Sequence, residues 1–181
     1  MEVKASGTFD YKTIQAFMRL CFFGFHWKTG PKKKLIIYSM IYAVLALAIT
    51  AEIVLLEFSP GFLILLLVII FLLLWMYFMY FAYPKIHYHA LGKMKNITNN
   101  YVFTDDTIHL TAASEGYFEE TTIRYSYIVK VIETPNYLYI FQTKTQAHII
   151  EKSTITNGTI QDIRQKLSAA VSGKYIFYYD T

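Results

Sequence analysis

The chain has 181 residues, of which 55% are hydrophobic, 18% aromatic and only 17% charged. Ordinary soluble domains are about 45–50% apolar and about 25% charged, so lipid enters as a candidate solvent for part of the molecule. The net charge of +4 is unevenly placed, with seven Lys/Arg against two acids in residues 1–34 and ten against nine in residues 85–181. That placement favours anionic membrane lipid over nucleic acid as the partner of the basic excess.

At the N-terminus Val3, Ala5, Gly7 and Phe9 alternate with polar residues, the period of a short strand. Asp10 is a fitting N-cap for a following helix. Tyr11, Ile14, Phe17, Met18, Cys21, Phe22 and Phe25 recur there at helical spacing, with Lys12, Gln15 and Arg19 opposite. A basic amphipathic helix of this kind suits a membrane interface, and equally suits packing on a folded domain. Cys21, the one cysteine, excludes an internal disulfide and sits among Leu20, Phe22 and Phe23 as a small hydrophobe.

Two apolar runs follow. Leu35 to Leu56 is 22 residues interrupted only by Ser39, Thr50 and Glu52, and Phe62 to Tyr83 is 22 residues without a charge. About 20 helical residues cross a hydrocarbon layer ~30 Å thick. Only Glu57, Phe58, Ser59, Pro60 and Gly61 separate the runs, a link so short that two helices must be antiparallel. Lys28, Lys32, Lys33 and Lys34 precede the pair, Lys85, Lys93 and Lys95 follow it, and the link holds no Lys or Arg. The positive-inside rule then predicts a multi-pass protein of the cell membrane with both termini cytoplasmic and these seven lysines at the membrane surface. Glu52 is the candidate intramembrane functional residue. It lies about one turn from the outer end, where a carboxylate can reach water.

From about Met94 the texture changes to short β-rich stretches: Asn100–Thr104, Thr107–Ala112, Tyr117–Arg124, Tyr127–Glu133, Tyr137–Gln142 and Ala147–Glu151, each bounded by turn residues. Thr159, with Asp162 three residues on, caps a helix whose apolar face is Ile160, Ile163, Leu167 and Val171, and Gly173 stops it. The aromatic tail Lys174–Tyr179 adds a strand or touches the membrane. The expected organisation is a cytoplasmic strand and helix over 1–34, a transmembrane hairpin over 35–83 and a cytoplasmic domain over 94–181. The fold class is an α+β membrane protein: an antiparallel helix hairpin and a small antiparallel β-domain capped by a C-terminal helix.

No Gly-rich phosphate loop or nucleophile elbow is present. His87 and His89 would share a face only on a strand, and no third ligand stands near them. Glu119 and Glu120, adjacent in a strand, point to opposite faces and form no acid–base pair. The expectation is therefore no enzyme, no metal and no cofactor.

Several strands followed by one amphipathic helix is the order of a pleckstrin-homology-like domain. Together with Tyr101-Val102-Phe103-Thr104-Asp105-Asp106, Arg124-Tyr125-Ser126-Tyr127-Ile128-Val129-Lys130-Val131 and Tyr137-Leu138-Tyr139-Ile140-Phe141, it resembles the YcxB-like family of bacterial membrane proteins. The resemblance implies the hairpin topology and a pleckstrin-homology-like domain, and no activity. A phosphoinositide site would call for a basic loop between the first strands. Counting from Asn100–Thr104, that loop is Asp105-Asp106, of the wrong sign. The expected function is a membrane-tethered cytoplasmic interaction or regulatory module. Its partner would be a protein, including another membrane protein, and homo-oligomers are compatible with the small residues Ala43, Ala46 and Ala48. The alternative is immunity or stress protection against a membrane-active bacteriocin or toxin, by analogy with other bacterial pleckstrin-homology-like membrane proteins.

Overall fold

Alternating buried and exposed positions build the first sheet. The computed structural model describes residues 2–23, 30–55, 60–92, 95–114, 117–171 and 173–178. β1 (Val3–Thr8) puts Val3, Ala5 and Gly7 inward and pairs antiparallel with β2 (Thr98–Phe103), Val3 opposite Phe103 and Thr8 opposite Thr98. β3 (Thr107–Ser114) and β4 (Tyr117–Arg124) complete a four-stranded sheet in the order β1-β2-β3-β4. The N-terminal strand and the strands after residue 97 are thus one sheet. Everything between Phe9 and Ile97 is inserted between two neighbouring strands. Asp105-Asp106 accordingly joins the second strand of the sheet to the third, a correction to its place as the first loop.

The second sheet contains β5 (Lys130–Glu133), β6 (Tyr137–Phe141), β7 (Ala147–Glu151) and β8 (Tyr175–Phe177), in the order β7-β6-β5-β8. The tail does add a strand, but β8 lies parallel to β5 where an all-antiparallel domain is expected. Its chain arrives through a helical crossover, and such a connection delivers a parallel neighbour. The strand expected over Tyr127–Glu133 is shorter, because Tyr125–Tyr127 forms a 3-10 turn. Tyr125 is buried there and its hydroxyl donates to the Thr104 carbonyl at 2.7 Å, which pins the corner between the sheets.

The sheets enclose one core. Phe103, Ile108, Ile123, Val131, Leu138, Ile140 and Ile150 meet there with Ile163, Leu167 and Val171 at the end of the chain's last helix. That helix, α5 (Ile160–Ala170), starts with the expected capping box: Thr159 Oγ1 accepts from the Asp162 amide, and the Asp162 carboxylate accepts from the Thr159 amide at 2.7 Å. Gly173, at φ +75°, follows it in the left-handed conformation that a helix stop favours. The edge of the first sheet is tied to the chain after β7 by Lys4–Thr156 backbone bonds of 2.9 and 2.7 Å. Gly7 crosses close over β7, where a Cβ would strike the Ile149 carbonyl oxygen, so no other residue fits without backbone movement.

α1 (Tyr11–Phe23) covers the outer face of the second sheet. Asp10 caps it as expected, its carboxylate accepting from the Thr13 amide at 2.7 Å. Every residue of β6 is buried: Leu138 and Ile140 face the core, while Tyr137, Tyr139 and Phe141 face Leu20, with Phe17 against them. The Phe17 ring stacks on Tyr139 at 5.7 Å. Of the two settings the sequence left open, the structure shows packing on the domain. Leu20 and Phe23 are buried, Leu20 against β6 and Phe23 against Leu35, Met76 and Tyr80, while Phe22 and Tyr11 of the expected apolar face are exposed. Phe25 lies outside the described residues.

α2 (Pro31–Leu55) and α3 (Pro60–Tyr77) run antiparallel. Ser39 near the start of α2 lies 3.2 Å from the Tyr77 hydroxyl at the end of α3, and Leu35 packs with Met76 and Tyr80. α3 continues through a π-helical turn (Phe78–Ala82) into α4 (Tyr83–Ala90). Both helices are long and apolar enough to cross a membrane. Only 6% and 11% of their most apolar stretches are buried within the protein, which is unlike the core helices of a soluble domain. Residues 56–59 of the link lie outside the described residues.

Candidate functional site

The place where the apolar helices meet the β-domain is built around one helix irregularity. Pro84 has no N–H to donate to the Tyr80 carbonyl four residues earlier, and the turn before it is π-helical, closed by the Tyr83 amide on the Phe78 carbonyl. The Tyr80 carbonyl instead accepts from Arg19 Nε of α1 at 3.3 Å. The Arg19 guanidinium also lies 4.0 Å from the centre of the Tyr80 ring. A Phe23–Tyr80 edge contact at 5.6 Å and a Tyr11–Tyr88 contact at 5.7 Å extend the seam along α4.

Beside this seam is a cavity of about 180 Å³. Arg19 and Leu20 of α1, Pro31 and Lys32 at the start of α2, Tyr80 of the π turn, and the β5–β6 turn with Tyr137 line it. Tyr80 and Tyr137 are 6% and 5% exposed, and neither hydroxyl has a hydrogen-bond partner among the described residues. Arg19 and Lys32 supply positive charge, and no acid lines the cavity among the described residues.

A second polar cluster sits within the domain. Glu133, at the end of β5, is 2% exposed and accepts from Arg164 Nε at 2.8 Å and Nη2 at 2.5 Å, from Lys152 Nζ at 2.5 Å and from the Tyr175 hydroxyl at 2.6 Å. Burial alone would raise its carboxyl. The bonds from Arg164, Lys152 and Tyr175 outweigh that and hold it down at about 2. Arg164 and Tyr175 are both pushed upward, Arg164 chiefly by its bond to Glu133 and Tyr175 chiefly by burial. The cluster joins β5, the turn after β7, α5 and β8, and it acts as a structural clasp.

The expected surface lysines separate. Lys32 and Lys33 are exposed in the first turn of α2, whereas Lys34 is 6% exposed beside Leu35 of the helix seam. Lys85 is exposed on α4, and Lys95 lies 5.5 Å from the Tyr88 ring centre. Lys28 and Lys93 lie outside the described residues. Glu52 is exposed in the last turn of α2. His87 and His89 stand on helical α4, so they do not share a face, and His87 Nδ1 is buried without a partner among the described residues. Glu119 and Glu120 are both exposed on β4, with the Tyr117 hydroxyl donating to Glu119. Lys166 grips Asp105 at 2.5 Å, and that contact, by hydrogen bond first and charge second, holds the Asp105 carboxyl low. No group of three or more His, Cys, Asp or Glu residues that could hold a metal occurs among the described residues. Cys21 is half-buried, and burial raises its thiol to about 11.

Sequence reasoning placed Arg19 on the polar face of the N-terminal helix, Tyr80 among aromatics at the inner membrane interface and Tyr137 in a strand, but it brought none of them to one site, and it did not single out Glu133. Pro84 after an apolar run was a visible signal for a freed carbonyl at Tyr80, and the five apolar residues of β6 signalled two covered faces. Nothing local marked Glu133, whose partners lie 19 to 42 residues on.

Fold and junction together define an α+β protein in which two long apolar helices precede most of a two-sheet β-domain. Residues 103–167, from the end of β2 into α5, match the family described as YcxB-like protein. The likeness falls on the region whose motifs implied it, and both apolar helices lie N-terminal to the matched residues. No curated protein and no solved structure matches the chain.

Proposed function

We propose that the protein is a non-catalytic, membrane-tethered module. The α2–α3 hairpin crosses the cell membrane, both termini lie in the cytoplasm, and the β-domain presents a binding edge to a protein partner there. The observation that carries this reading is the insertion of the hairpin between β1 and β2, adjacent strands of one sheet, with α1 clamped on the other sheet. A domain attached by a single flexible linker would roam, whereas two attachment points fix the distance and tilt of the domain relative to the bilayer.

The domain's order supports a pleckstrin-homology-like fold: a four-stranded meander, three further antiparallel strands, and a helix filling the space between the sheets. Lys32, Lys33, Lys85 and Lys95 all lie at the end of the hairpin that joins the domain, which supports the cytoplasmic assignment. The binding edge is β4. Among the described residues it pairs only with β3, and it carries Phe118 at 70% exposure. Strand addition is the binding mode that such an edge supports.

Two measurements on the full-length chain test the reading. Alkaline carbonate should leave the protein in the membrane pellet, and a reporter at Thr181 should report the cytoplasm; release by carbonate or an external reporter would end it. A photo-crosslinker replacing Phe118 should trap a discrete protein adduct in native membranes. Adducts with lipid alone would remove the partner-binding role.

A further inference from the structure

We propose that the cavity at the junction of the hairpin and the β-domain is a binding site for the phosphate headgroup of an anionic phospholipid. This rests on the reading of α2 and α3 as membrane-crossing, and it goes further by assigning one lipid to one site.

Three independent observations converge. The first is charge. Arg19 and Lys32 line the cavity, no acidic residue lines it among the described residues, and the first turn of α2 contains no acid to offset the positive end of its helix dipole. Lys32 stands in that first turn at the cavity, so a cation and a positive helix pole face the same space. An anion placed there offsets both charges.

The second is hydrogen bonding. Tyr80 and Tyr137 are more than nine-tenths buried, line the cavity, and carry hydroxyls without partners among the described residues. An acceptor that fills the cavity would satisfy both hydroxyls at once. Arg19 spends only Nε on the Tyr80 carbonyl, which leaves its two terminal nitrogens for a bidentate grip on phosphate oxygens.

The third is position and size. The cavity lies where the α2 start and the π turn leave the apolar span, which is headgroup level for a hairpin crossing a bilayer. Its walls also include Leu20 and Pro31, apolar surfaces suited to a glycerol backbone. At about 180 Å³ it is smaller than the roughly 300–1,000 Å³ of sites that engulf drug-sized ligands, so it admits a headgroup while the acyl chains stay in the lipid.

The test is native mass spectrometry of the full-length protein in detergent, titrated separately with phosphatidylglycerol, phosphatidylcholine, and glycerol phosphate without acyl chains. The proposal expects one saturable phosphatidylglycerol per chain, with phosphatidylcholine and glycerol phosphate each at least tenfold weaker. Lys32→Gln and Arg19→Gln should each weaken phosphatidylglycerol about tenfold, the scale of one charge-assisted bond, while Lys85→Gln leaves it unchanged. Arg19 also supports the fold through Tyr80. Lys32→Gln, at an exposed position, and Tyr137→Phe, which removes one orphan hydroxyl, therefore keep the test decisive if Arg19→Gln unfolds.

Equal losses in Lys32→Gln and Lys85→Gln would mean diffuse attraction and overturn the site. Glycerol phosphate binding as tightly as the lipid would assign the cavity to a free phosphate ester and overturn the lipid assignment. Carbonate extraction separates the two readings. A chain that stays in the pellet but lacks lipid selectivity sinks this inference alone, whereas a chain released by carbonate sinks the membrane reading beneath it.

Discussion

The β-domain and the helix hairpin use the same side chains in opposite ways. Leu138, Ile140 and Phe141 in β6 are fully buried, while Leu47, Leu74 and Ile64 in α2 and α3 are 63 to 70% exposed. In the domain, apolar groups are removed from water by one another. In the hairpin they are not, and the protein alone leaves their surface uncovered. On the membrane-crossing reading proposed above, α2 and α3 owe their stability to a second solvent, and leucine substitutions should then cost nothing alike in the two regions. Leu138→Ala should destabilise the domain by about 2–5 kcal/mol, the cost of lost transfer energy plus a cavity. Leu47→Ala should cost under about 0.5 kcal/mol, as at an exposed site. Thermal unfolding of both variants in detergent checks the pair, and equal losses would erase the distinction between the regions.

A charge sharpens the same comparison. Leu72, 40% exposed near the middle of the second apolar run, should not tolerate Arg: the change costs about 3 kcal/mol of insertion free energy at a helix centre. Tyr127, 67% exposed on the domain, should accept Arg within about 0.5 kcal/mol. The carbonate-resistant fraction reads the first, and thermal unfolding the second. A Leu72→Arg chain retained in the membrane as well as the parent would mean that α3 does not face lipid.

The domain's own buried charge predicts a pH dependence. Glu133 is held at about 2 in the folded state against an ordinary 4.5. A carboxyl depressed by folding stabilises fully above the unfolded value, and the contribution is lost as pH falls toward the folded one. Stability should therefore be flat from pH 7 to about 5 and then fall by about 2–3 kcal/mol between about 4.5 and 2. Glu133→Gln should be less stable at pH 7, because Arg164 and Lys152 lose their carboxylate, and its acid slope should be shallower. Denaturant midpoints across pH check both, and an unchanged slope would relocate the titrating group.

Much of this architecture was legible because local rules sufficed. The two 22-residue runs, the capping box at Thr159 and Asp162, the stop at Gly173 and most strand limits follow from periodicity and turn chemistry. What was not legible was long-range. That Val3–Thr8 pairs with Thr98–Phe103 depends on a register across the whole hairpin, and no local pattern encodes it. The place of α1 was recoverable only by asking what covers the second face of β6. The junction cavity draws residues from α1, α2, the π turn and the β5–β6 turn, so its polar members looked unremarkable one at a time.

The smallest expected effect concerns Glu52. It stands exposed three residues before the end of α2, and it makes no hydrogen bond or ion pair among the described residues. At a helix end a carboxylate can reach water along its own stem, so it needs no partner within the chain. Glu52→Gln should then change neither carbonate resistance nor unfolding by more than about 0.5 kcal/mol. A carboxylate held deeper, among lipid tails, would instead require a donor, and a second copy of the chain is the nearest source of one. A shift from oligomer to monomer in Glu52→Gln, read by light scattering in detergent, would therefore place the residue in a helix–helix contact and overturn its assignment to the water-facing rim.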